Sequence, residues 1–309
     1  MEQIYEYIYA VRHAGSFKAA AELLHVTQPA LSIALKKYEE QIHTTVFNRK
    51  QHPFGLTPAG EILVRNIETL ALAERRMNAE LADLLQAETG DVRIAATHYV
   101  MTVVLPPILN RFVELYPKVN LHLYERSAGE VAKGLLDGTY DISVCAARRV
   151  SDNAVKNVIR RDGLLWVIPN KFLTGAYAEL ISPYPAQSAE EAPFLSSLEV
   201  LSGLPYIALL PGDSLYEQSS EIFCREKVAP LIRVNVPQSA TAWHLACAGI
   251  GAALIPEQLV QVIPPQNADI SIFRFDSPLM QREISAFYRS DLYLSNTARK
   301  FLTLCGARV

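Results

Sequence analysis

Residues 14–49 constrain the fold most, because they carry the signals of two short helices joined by a turn. Ser16 follows a glycine, and its hydroxyl can accept a hydrogen bond from a free N–H in the first turn of a helix. Apolar residues then recur at roughly helical spacing over residues 17–24. Thr27 offers a second cap, and Pro29 is tolerated at a helix start because an N–H there has no helical partner. The pattern predicts two helices separated by a short turn.

The second of these helices has the layout of a helix that enters the major groove of DNA. Leu31 and Leu35 can face inward, while short polar side chains lie near its N-terminal half. Gln28 is suited to bond adenine edges, and Ala30 or Ile33 to meet a thymine methyl group. The alternative is a two-helix piece of an ordinary protein core.

The segment that follows favours the DNA-binding interpretation. Residues 47–50, 51–55 and 56–58 have the pattern of a strand, a tip and a return, which together form a wing. Two basic residues on this wing are placed for phosphate contacts. The predicted DNA-contacting residues of the caps, the second helix and the wing are Ser16, Thr27, Gln28, Pro29, Ala30, Ser32, Lys36, Arg49 and Lys50.

The order of these residues resembles the LysR-type transcriptional regulators. The resemblance covers the first sixty residues and rests on Ser16-Phe17, Ala20-Ala21, Leu24, Thr27 to Ser32, Glu39, Phe47, Arg49 and Leu56 to Gly60. The family commonly has glycine where His43 stands. Since histidine is among the better non-glycine residues for a left-handed backbone, we expect the turn after the second helix to survive at His43 with some strain.

The resemblance implies a sequence-specific transcriptional regulator whose partner is double-stranded DNA, with RNA polymerase as a further candidate partner. It also implies an α/β fold class with an α-rich head. The parts would be an N-terminal winged helix-turn-helix, a long linker helix and a two-lobed, periplasmic-binding-protein-like α/β effector domain. A homotetramer built from homodimers is the expected assembly.

A long helix is predicted from Thr57-Pro58 to Glu88, where Gly90 stops it. Residues with a 4-3-4-3 spacing form a heptad seam along it: Leu63, Ile67, Leu70, Glu74, Met77, Leu81 and Leu84. Such a seam favours a coiled coil with the same helix of a second chain, and packing on its own domain is the alternative.

From Asp91 onward, strand and helix patterns alternate, which predicts a parallel sheet with helices on both faces. We expect two lobes joined by two crossovers, with residues 270–275, residues 284–288 and a final helix over residues 296–304 returning to the first sheet. Residues 170–198 look like a loop insertion. The predicted domains are residues 1–57 (head), 58–88 (linker helix), 89–163 with 267–309 (first lobe) and 164–266 (second lobe).

Ligands of open α/β sheets bind beyond the carboxyl ends of the strands, near helix N-termini. This rule selects the candidate effector-binding residues Thr97, His98, Tyr99, Ser127, Cys145, Ala146, Pro211, Gly212, Gln238, Ser239 and Thr241. For Thr97 and Ser127, helix capping is the alternative role. His98 can pair with a carboxylate or act as a pH-sensitive donor, so we expect a small organic anion as the effector.

The composition of the chain limits the kinds of protein to which it can belong. The net charge of the chain is −3, and the first sixty residues carry six basic and five acidic side chains, so DNA binding should depend on a few placed charges and on dimerisation. No apolar run reaches the roughly 18 residues of a membrane span, and no basic cluster marks a signal peptide, so we expect a cytoplasmic protein without a membrane partner.

Enzyme motifs are missing from the sequence, including GxSxG, HExxH and a P-loop, so no enzyme activity is predicted. There is no Cys/His cluster suited to zinc, and we expect no metal or cofactor. The widely spaced Cys145, Cys224, Cys247 and Cys305 are interpreted as inert thiols, with a redox switch as the alternative. A further alternative is a regulator whose lobes serve assembly alone.

Overall fold

The computed structural model describes residues 2–48, 55–85, 89–181, 191–265 and 268–307. The chain divides into two compact units, residues 1–85 and 86–309. The first unit contains three short helices, a two-stranded wing and a long helix: α1 (Gln3–Ala14), α2 (Phe17–Leu23), α3 (Gln28–Gln41), β1 (Phe47–Asn48), β2 (Gly55–Leu56) and α4 (Pro58–Leu84). The predicted end of α4 at Glu88 lies outside the described residues.

Side-chain caps start α2, α3 and α4 as predicted. The hydroxyls of Ser16, Thr27 and Thr57 accept hydrogen bonds from the backbone N–H three residues later, at 3.1, 3.4 and 3.0 Å. These bonds satisfy N–H groups that have no partner within the helix. The helices pack around a small core that includes Ile8, Val11, Ala20, Leu31, Leu35, Val46, Phe47 and Ile67.

Histidines occupy the left-handed positions that follow α2 and α3. His43, just after α3, has φ 53°, which confirms that a non-glycine residue holds this turn. His25, between α2 and α3, has φ 54° and closes the turn of the helix-turn-helix. Both residues adopt a backbone conformation that costs most side chains energy, so the turns on either side of α3 carry local strain.

The second unit is a mixed α/β structure. Its strands are β3 (Gly90–Ala96), β4 (Val119–Glu125), β5 (Ile142–Cys145), β6 (Ala154–Pro169), β7 (Phe194–Leu195), β8 (Pro205–Leu209), β9 (Leu231–Val236), β10 (Ala253–Pro256), β11 (Ile270–Phe275) and β12 (Gln281–Arg289). Its helices are α5 (Leu105–Leu115), α6 (Ala128–Leu136), α7 (Ser214–Glu226), α8 (Ser239–Cys247), α9 (Glu257–Val262) and α10 (Asn296–Leu304).

The sheets are partly parallel and partly antiparallel. The order β4-β3-β5-β12-β6-β11-β7 forms one path, with β10 also paired to β6, and β8 pairs with β9. Strands β4, β3 and β5 are parallel, as are β8 and β9, which confirms the predicted βαβ units. Strands β12 and β6 run antiparallel to their neighbours, so the prediction of a purely parallel sheet was wrong in the centre of the molecule.

Strand β6 belongs to both lobes of the second unit. Residues 154–163 pair with β12 in the first lobe, and residues 164–169 pair with β10 and β11 in the second. The prediction that residues 270–275 return to the first sheet is wrong, because β11 pairs with the second-lobe part of β6 and with β7. The chain returns to the first lobe one strand later, at β12.

The segment predicted as a loop insertion, residues 170–198, is partly integrated into the second lobe. Its described parts contain short 3-10 turns at Asn170–Phe172 and Gly175–Leu180 and the strand β7. Leu173 and Leu195 are buried in the main core. These parts therefore contribute to the lobe, while residues 182–190 lie outside the described residues.

Candidate DNA-binding and effector sites

Helix α3 presents one buried face and one exposed face. Leu31 and Leu35 are fully buried, and the exposed face carries Gln28, Ile33 and Lys36. The isoleucine is 68% exposed, so its apolar surface is available for a contact outside the chain. The helix therefore offers hydrogen-bonding, apolar and cationic groups together on the surface away from the core.

A buried carboxylate, which the sequence analysis used only as a mark of resemblance, fixes α3 against the wing. The Glu39 Oε1 atom accepts hydrogen bonds from the backbone N–H groups of Val46 at 2.7 Å and Phe47 at 3.3 Å. The Thr57 hydroxyl donates to the carbonyl oxygens of Thr45 at 2.5 Å and Val46 at 3.3 Å. One short segment thus connects α3, the wing and the start of α4.

Gly60 is required where the first turn of α4 approaches this segment. A Cβ atom at this position would overlap the carbonyl oxygen of Val46. That close approach allows the Thr57 cap and the segment before β1 to lie in direct contact, so glycine here is a packing requirement.

The predicted DNA-contacting residues fall into three groups. Ser16 and Thr27 use their hydroxyls as helix caps. Gln28, Pro29, Ala30 and Lys36 are exposed on α3, and Ser32 is half-buried beside them. The Lys36 ammonium lies 3.8 Å from the Glu40 carboxylate, a solvent-exposed pair that DNA phosphates can replace at little cost. Arg49 and Lys50 lie outside the described residues.

The heptad seam of α4 divides into two parts. Leu63 and Ile67 pack into the core of their own unit. Beyond them the seam is exposed in this single chain, at Leu70, Glu74, Met77, Leu81 and Leu84. Packing on its own unit therefore accounts for the first helical turns of α4, and it leaves the later apolar seam uncovered.

In the first lobe, two predicted effector-binding residues have partners within the protein. The Ser127 hydroxyl accepts from the Glu130 N–H and donates to its carboxylate at 2.6 Å, forming a capping box for α6. These hydrogen bonds lower the pKa of the Glu130 carboxyl. The His98 Nδ1 atom lies 2.8 Å from the Glu125 carboxylate. Both side chains thus have polar partners within the first lobe.

The thiol of Cys145 faces away from the lobe crossover. It lies in a small core with Val131, Leu135 and Phe287 on the α6 side of the sheet, and burial raises its pKa. The neighbouring Ala146 instead packs against the main core. Half-buried Thr97 follows β3, and its carbonyl oxygen accepts from the Met101 N–H at 2.9 Å.

The candidates in the second lobe lie at two helix starts. Pro211 and Gly212 are exposed before α7, and Gly212 has φ 90°, a left-handed value suited to glycine. Gln238 precedes α8, in which Ser239 is buried and Thr241 is exposed. The described hydrogen bonds do not join either group to the predicted residues of the first lobe.

A polar cluster lies where the chain crosses from one lobe to the other, and of its residues only Tyr99 was predicted from the sequence. We call Tyr99, Arg160, Asp162 and Arg282 the crossover cluster. Arg282 donates to Asp162 Oδ2 from Nε at 3.2 Å and from Nη2 at 3.0 Å. These side chains are only 7% and 1% exposed, so the pair is a buried ion pair. The guanidinium also lies 4.6 Å from the centre of the Tyr99 ring.

Residues of both lobes meet at this cluster. Arg282 Nη1 lies 3.4 Å from the Ser214 hydroxyl at the start of α7, and Arg160 Nη2 donates to Gln258 of α9 at 2.6 Å. Gln218 of α7 donates to the carbonyl oxygens of Leu279 at 2.5 Å and Gln281 at 3.0 Å. The crossover cluster is therefore in direct hydrogen-bond contact with residues of the second lobe.

Burial sets the protonation of groups at this crossover. Burial, then the negative charge of Asp162 and a side-chain hydrogen bond to it, raise the pKa of the Tyr99 phenol, which stays protonated. Burial also raises the pKa of Asp213, which caps α7 by accepting from the Leu215 N–H at 2.7 Å. In the sequence, Arg160 and Asp162 belong to the consecutive charged run Arg160-Arg161-Asp162, which gives no local signal for this cluster.

Two further features concern the described ranges of the chain: a metal site and a membrane-crossing helix. In this part of the chain, no group of three or more His, Cys, Asp or Glu side chains is placed to hold a metal ion. Likewise, none of the described helices has both the length and the apolar character that crossing a membrane requires.

Comparison with protein families gives two matches that cover most of the chain. Residues 3–61 match the family described as bacterial regulatory helix-turn-helix protein, lysR family. Residues 85–309 match the LysR substrate binding domain. The two matches fall on the two compact units.

Similar full-length proteins carry regulatory names. A probable RuBisCO transcriptional regulator of Cyanophora paradoxa is 32% identical over 302 residues, which is 94% of this chain and 87% of that protein. A probable hydrogen peroxide-inducible genes activator of Streptomyces viridosporus is 27% identical over 284 residues, covering 91% and 85%.

Solved structures share the fold at lower identity. Full-length CbnR in complex with its target DNA has a TM-score of 0.69 and 20% identity, covering 99% of both chains. A full-length OxyR variant from Pseudomonas aeruginosa has a TM-score of 0.66 and 20% identity, covering 99% of this chain and 94% of that one. At these identities the comparison establishes the common architecture.

Proposed function

Because this chain belongs to the LysR family of bacterial transcriptional regulators, we propose that its α3 helix enters the major groove of operator DNA. The chain is a DNA-binding regulator with an effector-binding domain. The exposed face of α3 is the observation that carries our assignment of the reading surface. Gln28 supplies an amide for base edges, Ile33 an apolar contact and Lys36 a cation for phosphate.

We propose that two chains pair through α4. The exposed seam residues Leu70, Met77 and Leu81 support this proposal, because a second copy of the helix would bury them. Pairing places two α3 helices on linked half-sites, and the avidity offsets the weak basic charge of the head. A further pairing into homotetramers is also proposed, supported by the exposed Leu231 and Ile232 on strand β9.

A small organic anion, bound between the lobes of the second unit, is proposed as the effector. The hydrogen bonds from Arg282 and Arg160 to second-lobe residues support this, because a ligand at the crossover would change the relation of the lobes. Such control requires the effector to bind one arrangement of the assembly more tightly than the other. The rival proposal is a regulator whose lobes only assemble the oligomer.

We further propose that the chain acts without catalysis, in the cytoplasm, where bacterial chromosomal DNA lies, and with RNA polymerase as a candidate partner. Redox sensing is disfavoured at Cys145, Cys247 and Cys305, so the redox alternative rests on the exposed Cys224. Burial raises the pKa of Cys145, of Cys247 to about 11 and of Cys305 to about 12, whereas reactive sensor thiols have lowered values.

Selection of binding sites from random double-stranded DNA tests the proposal. The full-length chain should enrich a sequence with two related half-sites, and Gln28→Ala should change the preferred bases in each half-site. Lys18→Ala, which alters an exposed cation in α2, is the matched control and should leave the preference unchanged. Enrichment of no sequence, or the same sequence with Gln28→Ala, would count against this surface.

A further inference from the structure

Tyr38 of α3 is joined to Tyr5 of α1 by two contacts. Their rings meet edge to face, with centroids 6.3 Å apart and ring planes at 86°, an arrangement that aromatic pairs favour. The two hydroxyls are also hydrogen-bonded to each other. Burial, and then these interactions with Tyr5, raise the pKa of the Tyr38 phenol, which stays protonated at neutral pH. A specific contact therefore connects the reading helix to the first helix of the chain.

Tyr38 and Glu39 attach two different edges of α3. Successive residues of a helix lie about 100° apart around its axis, so these neighbours point in different directions. Glu39 is bonded to the segment before the wing, through the N–H of Val46, whereas Tyr38 contacts α1. A helix attached along one edge can roll about that edge, and a second attachment removes this freedom. The two residues together therefore fix the rotation of α3 within the first unit.

Helix α1 carries this attachment to α4. It packs against both α3 and α4, and its Ile8 and Val11 share one core with Val64 and Ile67 of α4. Among the described residues, α3 itself has little direct contact with α4. The orientation of α3 relative to α4 is therefore set through α1 on one side and through the segment before the wing on the other.

The side of α1 that holds Tyr5 also interacts with α4. Tyr9 and His13 follow Tyr5 at steps of four residues, so the three rings lie on the same side of the helix. The rings of Tyr9 and His13 have centroids 4.1 Å apart. Burial lowers the pKa of His13, and the charge of Glu68 on α4 acts in the opposite direction. One row of aromatic side chains thus extends from α3 at one end to α4 at the other.

We propose that Tyr38 and Tyr5 are positioning residues that fix the angle between α3 and α4, and so determine which spacing of half-sites a pair of chains accepts. Pairing through α4 sets the separation of two heads, and an α3 that cannot roll meets each groove in one orientation. Neither tyrosine has to touch a base to have this effect. The inference rests on the proposed function, because it takes α3 as the reading helix and α4 as the pairing helix.

The spacing of half-sites reports on this angle because DNA is helical. One added base pair moves the second half-site by about 3.4 Å along the DNA and rotates it by about 35°. Two heads with a fixed α3 cannot follow both changes without strain, whereas heads in which α3 can roll follow part of the rotation. The loss of affinity for an operator with one added base pair therefore measures how firmly α3 is held, and it is independent of the stability of the chain.

Fluorescence anisotropy of the full-length chain tests the inference, with the operator obtained by site selection and the same operator carrying one added base pair between its half-sites. The unmodified chain should bind the longer operator at least about tenfold more weakly. Tyr38→Phe and Tyr5→Phe each remove one hydroxyl and should reduce this loss to about threefold. The double variant should reduce it no further, because both hydroxyls serve one bond. Tyr38→Leu, which also removes the ring, should reduce the loss at least as much.

Tyr7→Phe is the matched control. It removes a hydroxyl from the same helix, one that accepts from the Gln3 amide at 2.9 Å on the exposed side, and it should keep the full loss of affinity. The inference is overturned if Tyr38→Phe and Tyr38→Leu keep that loss, whatever their melting temperatures, or if Tyr7→Phe relaxes it equally. It is also overturned if the unmodified chain binds both operators alike. Site selection that enriches no half-sites, or a base preference indifferent to Gln28→Ala, would overturn the proposed function instead.

Discussion

The carboxylate of Glu39 on α3 accepts a 2.7 Å hydrogen bond from the backbone N–H of Val46, so the reading helix and the wing are joined by a buried charged group. Since Glu39 is 8% exposed, its loss leaves buried N–H groups without an acceptor. We expect Glu39→Ala to destabilise the first unit by about 1–3 kcal/mol. Urea unfolding measures this, and Glu40→Ala, next in sequence and exposed, should cost little. Equal costs would contradict a positioning role for Glu39.

Base reading and phosphate binding should separate on mutation. Gln28→Ala should lower the discrimination between operator and random DNA by roughly 1–3 kcal/mol. Arg49→Ala should weaken binding to all sequences alike and reduce the magnitude of the salt slope by about 1. Fluorescence anisotropy over a range of salt concentrations measures both. If both variants weakened binding to operator DNA and to random DNA by the same factors, these assigned roles would be wrong.

Ile33 should read a thymine methyl group. It is 68% exposed on the reading face, so contact with a methyl group in the groove would bury apolar surface. Replacing one operator thymine with deoxyuridine should weaken binding, and Ile33→Ala should be insensitive to that replacement. The comparison is a double-mutant cycle between one side chain and one methyl group. Additive effects at every operator thymine would rule out the contact.

Charge placed in the seam of α4 should prevent pairing. Leu70→Glu and Leu81→Glu would each put a carboxylate into the proposed helix interface, and we expect monomers in sedimentation velocity experiments. Thr69→Glu adds the same charge beside the seam, at an exposed position, and should leave the assembly intact. A sedimentation coefficient unchanged by the seam variants would exclude α4 as the pairing surface.

The buried ion pair at the crossover should matter far more than an exposed one. Arg282→Gln leaves the Asp162 charge buried without its partner, so we expect a loss of about 3–5 kcal/mol in unfolding free energy. Arg161→Gln removes an exposed arginine that lies 3.7 Å from Glu283, and should cost less than about 1 kcal/mol. Chemical denaturation followed by tryptophan fluorescence compares them. If both variants lost similar amounts of unfolding free energy, the buried charge of Asp162 would not depend on Arg282 for its compensation.

Local signals predicted much of this fold. The caps at Ser16, Thr27 and Thr57 depend on residues three positions apart, so the sequence reveals them directly. The left-handed backbone at His43 was predicted from the resemblance instead, because the family commonly has glycine at this position. Strand β11 was placed wrongly for a different reason. Its apolar pattern fits either lobe, and the pairing with β6 is a long-range contact that the pattern does not encode.

The candidate effector site was the less predictable part. Rules about strand ends selected Ser127 and His98, whose side chains are occupied by Glu130 and Glu125. The crossover cluster instead depends on two strands meeting in register, since Asp162 and Arg282 are 120 positions apart in the chain. Charged residues within a strand look like a loop when they are read locally, which is why the first half of β6 was missed.

The sharing of β6 between the lobes restricts how this protein can evolve. Side chains alternate along a strand, so inserting or deleting one residue between Asp162 and the second-lobe half of β6 would turn one half over relative to the other. Surface loops can gain or lose residues, but this strand is held by pairing with β12 in one lobe and with β10 and β11 in the other. Relatives should therefore keep the spacing between Asp162 and the second-lobe half of β6, whatever effector they bind.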